Sequence, residues 1–215
     1  MRGQVVSIKR VVLNSKIKLL LVLILAGIII SGCIQPRMAS KNVTEQKVTK
    51  TWTPDGVISD GEYSRNMTMT EVGGSGRSFE VCWKNDAQDL YMAMKAKTLG
   101  WIAVGYEPTD WMKDADIVLG YVHDGNAIVQ DQYSTGNYGP HVPDTELGGT
   151  NDIQEYGGRA ENGYTVIEFK RKMNTGDKYD KAFVPGQAVP IIWSLSDSNS
   201  TEVRHVADGK GVMNL

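Results

Sequence analysis

Phe79-Glu80-Val81-Cys82-Trp83, then Lys84 to Asp89, then Leu90-Tyr91-Met92-Ala93-Met94-Lys95-Ala96-Lys97: this stretch decides the fold class. Two short apolar runs flank the polar turn Lys-Asn-Asp-Ala-Gln-Asp. In the second run Leu90, Met92, Met94 and Ala96 fall on one face at period two. A helix would repeat its apolar residues every three or four positions, so the pair reads as two strands joined by a turn.

The same pattern continues outward. Trp101–Tyr106 is a short apolar strand. Ile117–Val122 and Ala127–Asp131 flank Asp124-Gly125, and Asn162-Gly163 precedes Tyr164–Arg171. Both dipeptides suit two-residue hairpin turns, in which glycine tolerates positive φ. Val189–Leu195 is a further strand, and a last short one is expected at Val203-Arg204-His205. With 23 glycines spread along the chain and no convincing helical stretch, the expectation is all-β: about nine or more strands in a two-sheet β-sandwich spanning 51–215. The loop-like stretch Gln130–Gly158 is long for an inert connection and is a candidate binding rim.

The ends of the chain differ in charge. The first 32 residues hold Arg2, Lys9, Arg10, Lys16 and Lys18 and no acid, leaving 18 bases against 25 acids in the rest. An acidic body without a Lys/Arg stripe excludes nucleic acid as a natural partner. Leu19–Gly32 carries no charge and is short for a membrane-spanning helix. It suits a secretory signal segment over 1–32. Ile30-Ser31-Gly32-Cys33 resembles a prokaryotic lipobox, which implies lipidation at Cys33. Residues 33–50 then read as a polar tether. The expected location is extracytoplasmic, anchored to the cell membrane, with an uncleaved N-terminal anchor as the other way to the same place. Cys82, left without a partner, reads as a small buried hydrophobe.

A family resemblance emerges from the motifs in order. Gly100-Trp101-Ile102-Ala103-Val104-Gly105-Tyr106 is followed by Trp111-Met112-Lys113-Asp114-Ala115-Asp116-Ile117-Val118-Leu119-Gly120-Tyr121. Asp131-Gln132-Tyr133-Ser134, Asn151-Asp152-Ile153, Tyr164 to Arg171, Asp180, His205 and Gly211 come next. Together they resemble the DOMON domain, the family that includes the dopamine β-hydroxylase N-terminal-like and cellobiose dehydrogenase cytochrome-like domains. Asp55-Gly56-Val57-Ile58 with Gly61-Glu62-Tyr63 looks like its opening strand. The resemblance implies an immunoglobulin-like sandwich.

It also implies a cofactor. Haem-binding members hold the iron through a methionine and a histidine whose matching positions here are Met112 and His205, which makes haem b the expected cofactor. Thioether and imidazole form an axial pair suited to electron transfer with a redox partner rather than to oxygen chemistry. Taken singly, Met112 reads more readily as core filler than as a ligand, and His205 as a solvated or hydrogen-bonded side chain. A haem-free carbohydrate or small-ligand module remains the alternative. Its candidate ligand-binding residues are Trp111, Tyr133, Tyr138 and His141, while Trp83, Trp101 and Trp193 read as core. A structural surface protein without a small ligand is the third reading.

Other chemistry finds little support. The three histidines show no zinc or copper spacing. Asp114, Asp116, Asp131, Asp144 and Asp152 lack EF-hand spacing. Asp131, Asp144 and Asp152 are expected to accept loop backbone N–H groups, so no metal other than haem iron is expected. No motif pairs a nucleophile with a base, so the chain is not expected to be an enzyme.

Overall fold

A computed structural model describes residues 51–71 and 74–215. The signal segment 1–32, Cys33 and the tether 33–50 lie outside the described residues. Among the described residues no helix is long and apolar enough to cross a membrane.

Among the described residues, eleven strands form two antiparallel sheets: β1 (Arg65–Thr70), β2 (Ser78–Asn85), β3 (Asp89–Ala96), β4 (Ile102–Tyr106), β5 (Asp116–His123), β6 (Asn126–Ser134), β7 (His141–Pro143), β8 (Ile153–Glu161), β9 (Tyr164–Lys172), β10 (Ala188–Leu195) and β11 (Ala207–Asn214). The five-stranded sheet has the order β1-β2-β3-β9-β8, and the six-stranded sheet β11-β10-β4-β5-β6-β7. The chain is therefore the all-β sandwich that the alternation predicts.

The period-two reading fixes the core. Leu90, Met92, Met94 and Ala96 all point inward and are buried with Phe79, Val81, Ile167 and Phe169. They meet Ile102, Val104, Tyr106, Val118, Ile191 and Trp193 of the opposite sheet. Phe79 stacks on Trp193 with centroids 5.3 Å apart. Asp124 and Gly125, and likewise Asn162 and Gly163, all have positive φ. That is the signature of the two-residue hairpin turns expected there. Cys82 is buried and unbridged, as expected, and burial pushes its thiol up to about 12.

Three expectations are corrected. Asp55–Tyr63 is not a strand; it is an irregular strap fastened by side chains. Gly56 N–H and Tyr63 O–H donate to the two oxygens of Glu168, each at 2.7 Å. Val203–His205 is also irregular, and the last strand is β11, whose Asp-Gly-Lys-Gly segment mimics a turn in isolation. Pairing of all eight β10 residues with β11 overrides that local preference. The stretch Gln130–Gly158 is not one long loop: it contains the end of β6, β7, a 3-10 turn at Asp144–Leu147 and half of β8.

Candidate functional site

The centre of the outer face of the six-stranded sheet is apolar where a solvent face would be polar. One row of paired residues crosses it: Lys210, Ile192, Gly105, Ile117 and Gln132. The next row is Asp208, Ser194, Ala103, Leu119 and Gln130. Ala103, Ile117 and Leu119 are buried and pack with Trp101 and Ala115 into a second hydrophobic cluster, separate from the core between the sheets. Side chains at its centre are small. A β-carbon at Gly105 would lie 2.9 Å from Ile192 Cγ1 and 3.3 Å from Ile117 Cγ1, so the isoleucines converge over the glycine.

Met112 packs against this cluster and is half-buried. It sits in the β4–β5 loop, where the backbone is held in an unfavourable conformation. Trp111 and Asp114 adopt φ of 52° and 59°, the left-handed region that non-glycine residues seldom occupy. Neighbours over-determine it. Asp114 accepts from Thr109 Oγ1 at 2.6 Å and Tyr133 O–H at 3.1 Å, and its N–H donates to Ser134 O at 2.8 Å. Met112 N–H donates to Asn137 O at 3.3 Å. Strain retained this way costs about 1–3 kcal/mol per residue and marks positions that the surroundings fix.

His205 reaches the same face from the other edge. Its Nδ1 lies 3.4 Å from Asp208 Oδ1, and Asp208 stands on the outward side of β11. Burial lowers the His205 pKa, with Asp208 opposing, so the imidazole is neutral at neutral pH. A neutral ring with a carboxylate on Nδ1 has Nε2 available, the arrangement usual for a metal-bound histidine. His141 arrives from β7 and shares a 2.6 Å hydrogen bond between Nδ1 and Gln132 Oε1. Burial lowers its pKa too, and His205 adds to the shift.

The residues predicted from sequence therefore divide. Met112, His205, His141 and Trp111 gather on one face. Trp111 and Tyr138 are exposed, with ring centroids 5.4 Å apart, and Lys210 Nζ lies 5.8 Å from the Trp111 ring. Tyr133 does not join them: it pairs with Asp116 on the inward side of β6 and packs on Tyr179. The sequence does not single out Gln130 and Gln132 as lining this face, and Asp208 is hidden because β11 does not read as a strand in isolation. His123 is exposed in its hairpin turn, 3.5 Å from Asp124.

A family model for the DOMON domain matches residues 76–196, more than half of the chain. The human DBH-like monooxygenase protein 1 is 26% identical over 145 residues, 62% of this chain but 23% of that protein. A Drosophila melanogaster protein, MOXD1 homolog 2, is 29% identical over 99 residues, 46% of this chain and 13% of its own length. The chain thus matches less than a quarter of the length of these curated relatives. Among solved structures, the cytochrome b domain of pyranose dehydrogenase from Coprinopsis cinerea aligns with a TM-score of 0.45 and 14% identity, over 65% of this chain and 76% of that one. The cytochrome domain of Myriococcum thermophilum cellobiose dehydrogenase gives 0.46 and 12%, over 69% and 81%. With the motif order, the sandwich and the family model in agreement, the chain belongs to the DOMON domain family.

Proposed function

We propose that this domain binds haem b on the outer face of its six-stranded sheet, with Met112 and His205 as axial ligands. On this reading it is a carrier of single electrons between partners outside the cell membrane, held there by the N-terminal segment, and not an enzyme. One observation carries the reading: a half-buried thioether and a neutral imidazole with a carboxylate on its Nδ1 share one apolar, small-residue sheet face. The donor set fits iron, since neutral imidazole and thioether are both good ligands to it. Haem, when bound, would supply one-electron redox chemistry, with Met112 and His205 as the residues that would hold its iron. The protein's part is to fix Met112 through the strained loop, hold the His205 ring against Asp208, and keep water from the floor. Arg204 and Lys210, near His205 in sequence, are the candidates to meet the propionates.

The test is a haemin titration of residues 51–215, which belong to one compact unit, with oxidised and reduced spectra. The expected result is one haem per chain and sharp reduced α and β bands, lost in Met112→Ala and in His205→Ala but retained in His123→Ala. No Soret shift at stoichiometric haemin overturns the proposal.

A second reading, a saccharide-binding surface, is supported by the exposed Trp111–Tyr138 pair, since exposed rings can stack on sugar faces. Loss of glycan binding in Trp111→Ala without haem uptake by the parent protein would favour it.

A further inference from the structure

The sequence carries three Asn-x-Ser/Thr tripeptides, at Asn42, Asn66 and Asn199, and the fold treats the two described ones differently. Asn66 and Thr68 lie two residues apart on β1, so both project from the outer side of the five-stranded sheet, and both are exposed. Among the described residues the Asn66 side-chain amide makes no hydrogen bond. Asn199 is the opposite case. It is half-buried, its Nδ2 donates to Val122 O at 2.9 Å, and its Oδ1 is closed off from solvent. A bulky group on that nitrogen would have to fit between Asn199 and β5.

The place of Asn66 matters because β1 is an edge strand. An open edge offers unpaired backbone groups to other chains, and proteins ordinarily blunt it with charges, proline, a bulge or short length. Three of the four edges here are blunted in these ways. β8 has a register shift between Ile153 and Glu155 and carries Glu155, Arg159 and Glu161. β7 is three residues long and ends in Pro143. β11 carries Asp208 and Lys210. β1 has none of these devices from Asn66 to Thr70: the run is uncharged, and the strand pairs with β2 in unbroken register. Its inner side is already committed, since Met67 and Met69 close on Gly211, where a β-carbon would lie 2.5 Å from Met69 Sδ. The outer side and the edge stay open, and Asn66 stands there.

We propose that Asn66 is a modification site carrying an N-linked saccharide, which supplies the edge protection that the β1 sequence lacks. The step joins Asn66 Nδ2 to the anomeric carbon of a sugar supplied as a phosphate-linked donor. One N–H proton is released, the anomeric carbon–oxygen bond breaks, and the phosphate leaves with the electron pair; nothing is oxidised or reduced. Thr68 completes the tripeptide that the transferase reads. The proposal rests on the extracytoplasmic location given above, because N-linked transfer acts on secreted chains.

The test uses the full chain isolated from the membranes of the cells that make it, cut with trypsin and weighed by mass spectrometry. A parallel sample of intact cells is labelled with an amine reagent that does not cross membranes. The tryptic peptide 66–77 is expected to be heavier by whole sugar residues, and the peptide holding Asn199 is expected at its unmodified mass. Asn66→Gln and Thr68→Val each lose the increment, and Asn199→Gln keeps it. An unmodified 66–77 peptide overturns the proposal. Where the label marks the chain as outside, the proposal falls alone; where the chain stays unlabelled, the location falls with it. An increment that survives in both β1 variants, or one carried on Asn199, overturns it as well.

Discussion

The outer faces of the two sheets are built by the same alternation and end up opposite in character. On the five-stranded sheet, the outward positions on either side of the buried Cys82, Ala93 and Glu168 are filled by Glu80, Lys84, Tyr91, Lys95 and Lys170. Lys84 and Lys170 each lie 5.3 Å from the Tyr91 ring, and Lys95 lies 3.5 Å from Glu80. On the six-stranded sheet the outward positions are Ala103, Gly105, Ile117, Leu119 and Ile192. A sandwich needs only its inner faces apolar. An apolar outer face must be covered, and here Trp101, Met112 and the chain before β11 cover it, with Trp101 Nε1–H donating to Val203 O at 3.2 Å. Those positions of the first face meet water, whereas the centre of the second lies beneath Trp101 and Met112.

Variants can break that contrast. The largest loss is expected beneath both faces: Arg171→Met leaves Asp116, its buried partner at 2.8 Å, charged and unpaired, and should cost about 3–5 kcal/mol in denaturant unfolding. A variant as stable as the parent would show that Asp116 holds a proton rather than a charge. Next is Leu119→Ala on the apolar outer face, expected to cost about 2–3 kcal/mol. On the other sheet, Lys95→Ala should stay within about 0.5 kcal/mol. Equal losses at the two positions would erase the distinction between the faces.

Acidity sharpens the account further. Burial, with Asp180 adding, pushes Asp131 up to about 8. Burial raises Asp144 to about 7 and Asp180 to about 6. A carboxyl whose folded pKa is raised binds more protons folded than unfolded. Its contribution is therefore present at low pH and is lost as pH rises from about 4 through its folded value. The protein should accordingly lose melting temperature between pH 5 and pH 8. His141 and His205 act in the opposite sense, because their lowered values favour the folded state above about pH 6.5. With two imidazoles against three strongly shifted carboxyls, the acids set the sign. A melting temperature that rises over this interval would contradict it. The smallest effect is expected for His123→Ala, within about 0.5 kcal/mol.

Strands with inward alternation were legible in the sequence. Leu90 to Ala96 and Val189 to Leu195 each announce a buried face, and Asp124-Gly125 announces its turn. β8 and β11 were not legible, since Ile153–Glu161 and Ala207–Asn214 carry glycines and charges and become strands only through β9 and β10. The site divided in the same way. Met112 and His205 are candidates through a family motif alone. Asp144, by contrast, reads as a loop residue capping backbone groups. Its burial without any donor is a property of packing that no spacing along the chain reveals.

The central claim is that Met112 and His205 are joined through one iron, and a midpoint potential tests it most directly. Thioether ligation favours the ferrous state, so replacing Met112 by histidine should leave haem bound and lower the potential. A Met112→His protein with the parent's potential, or a parent chain that takes up no haem, would contradict it.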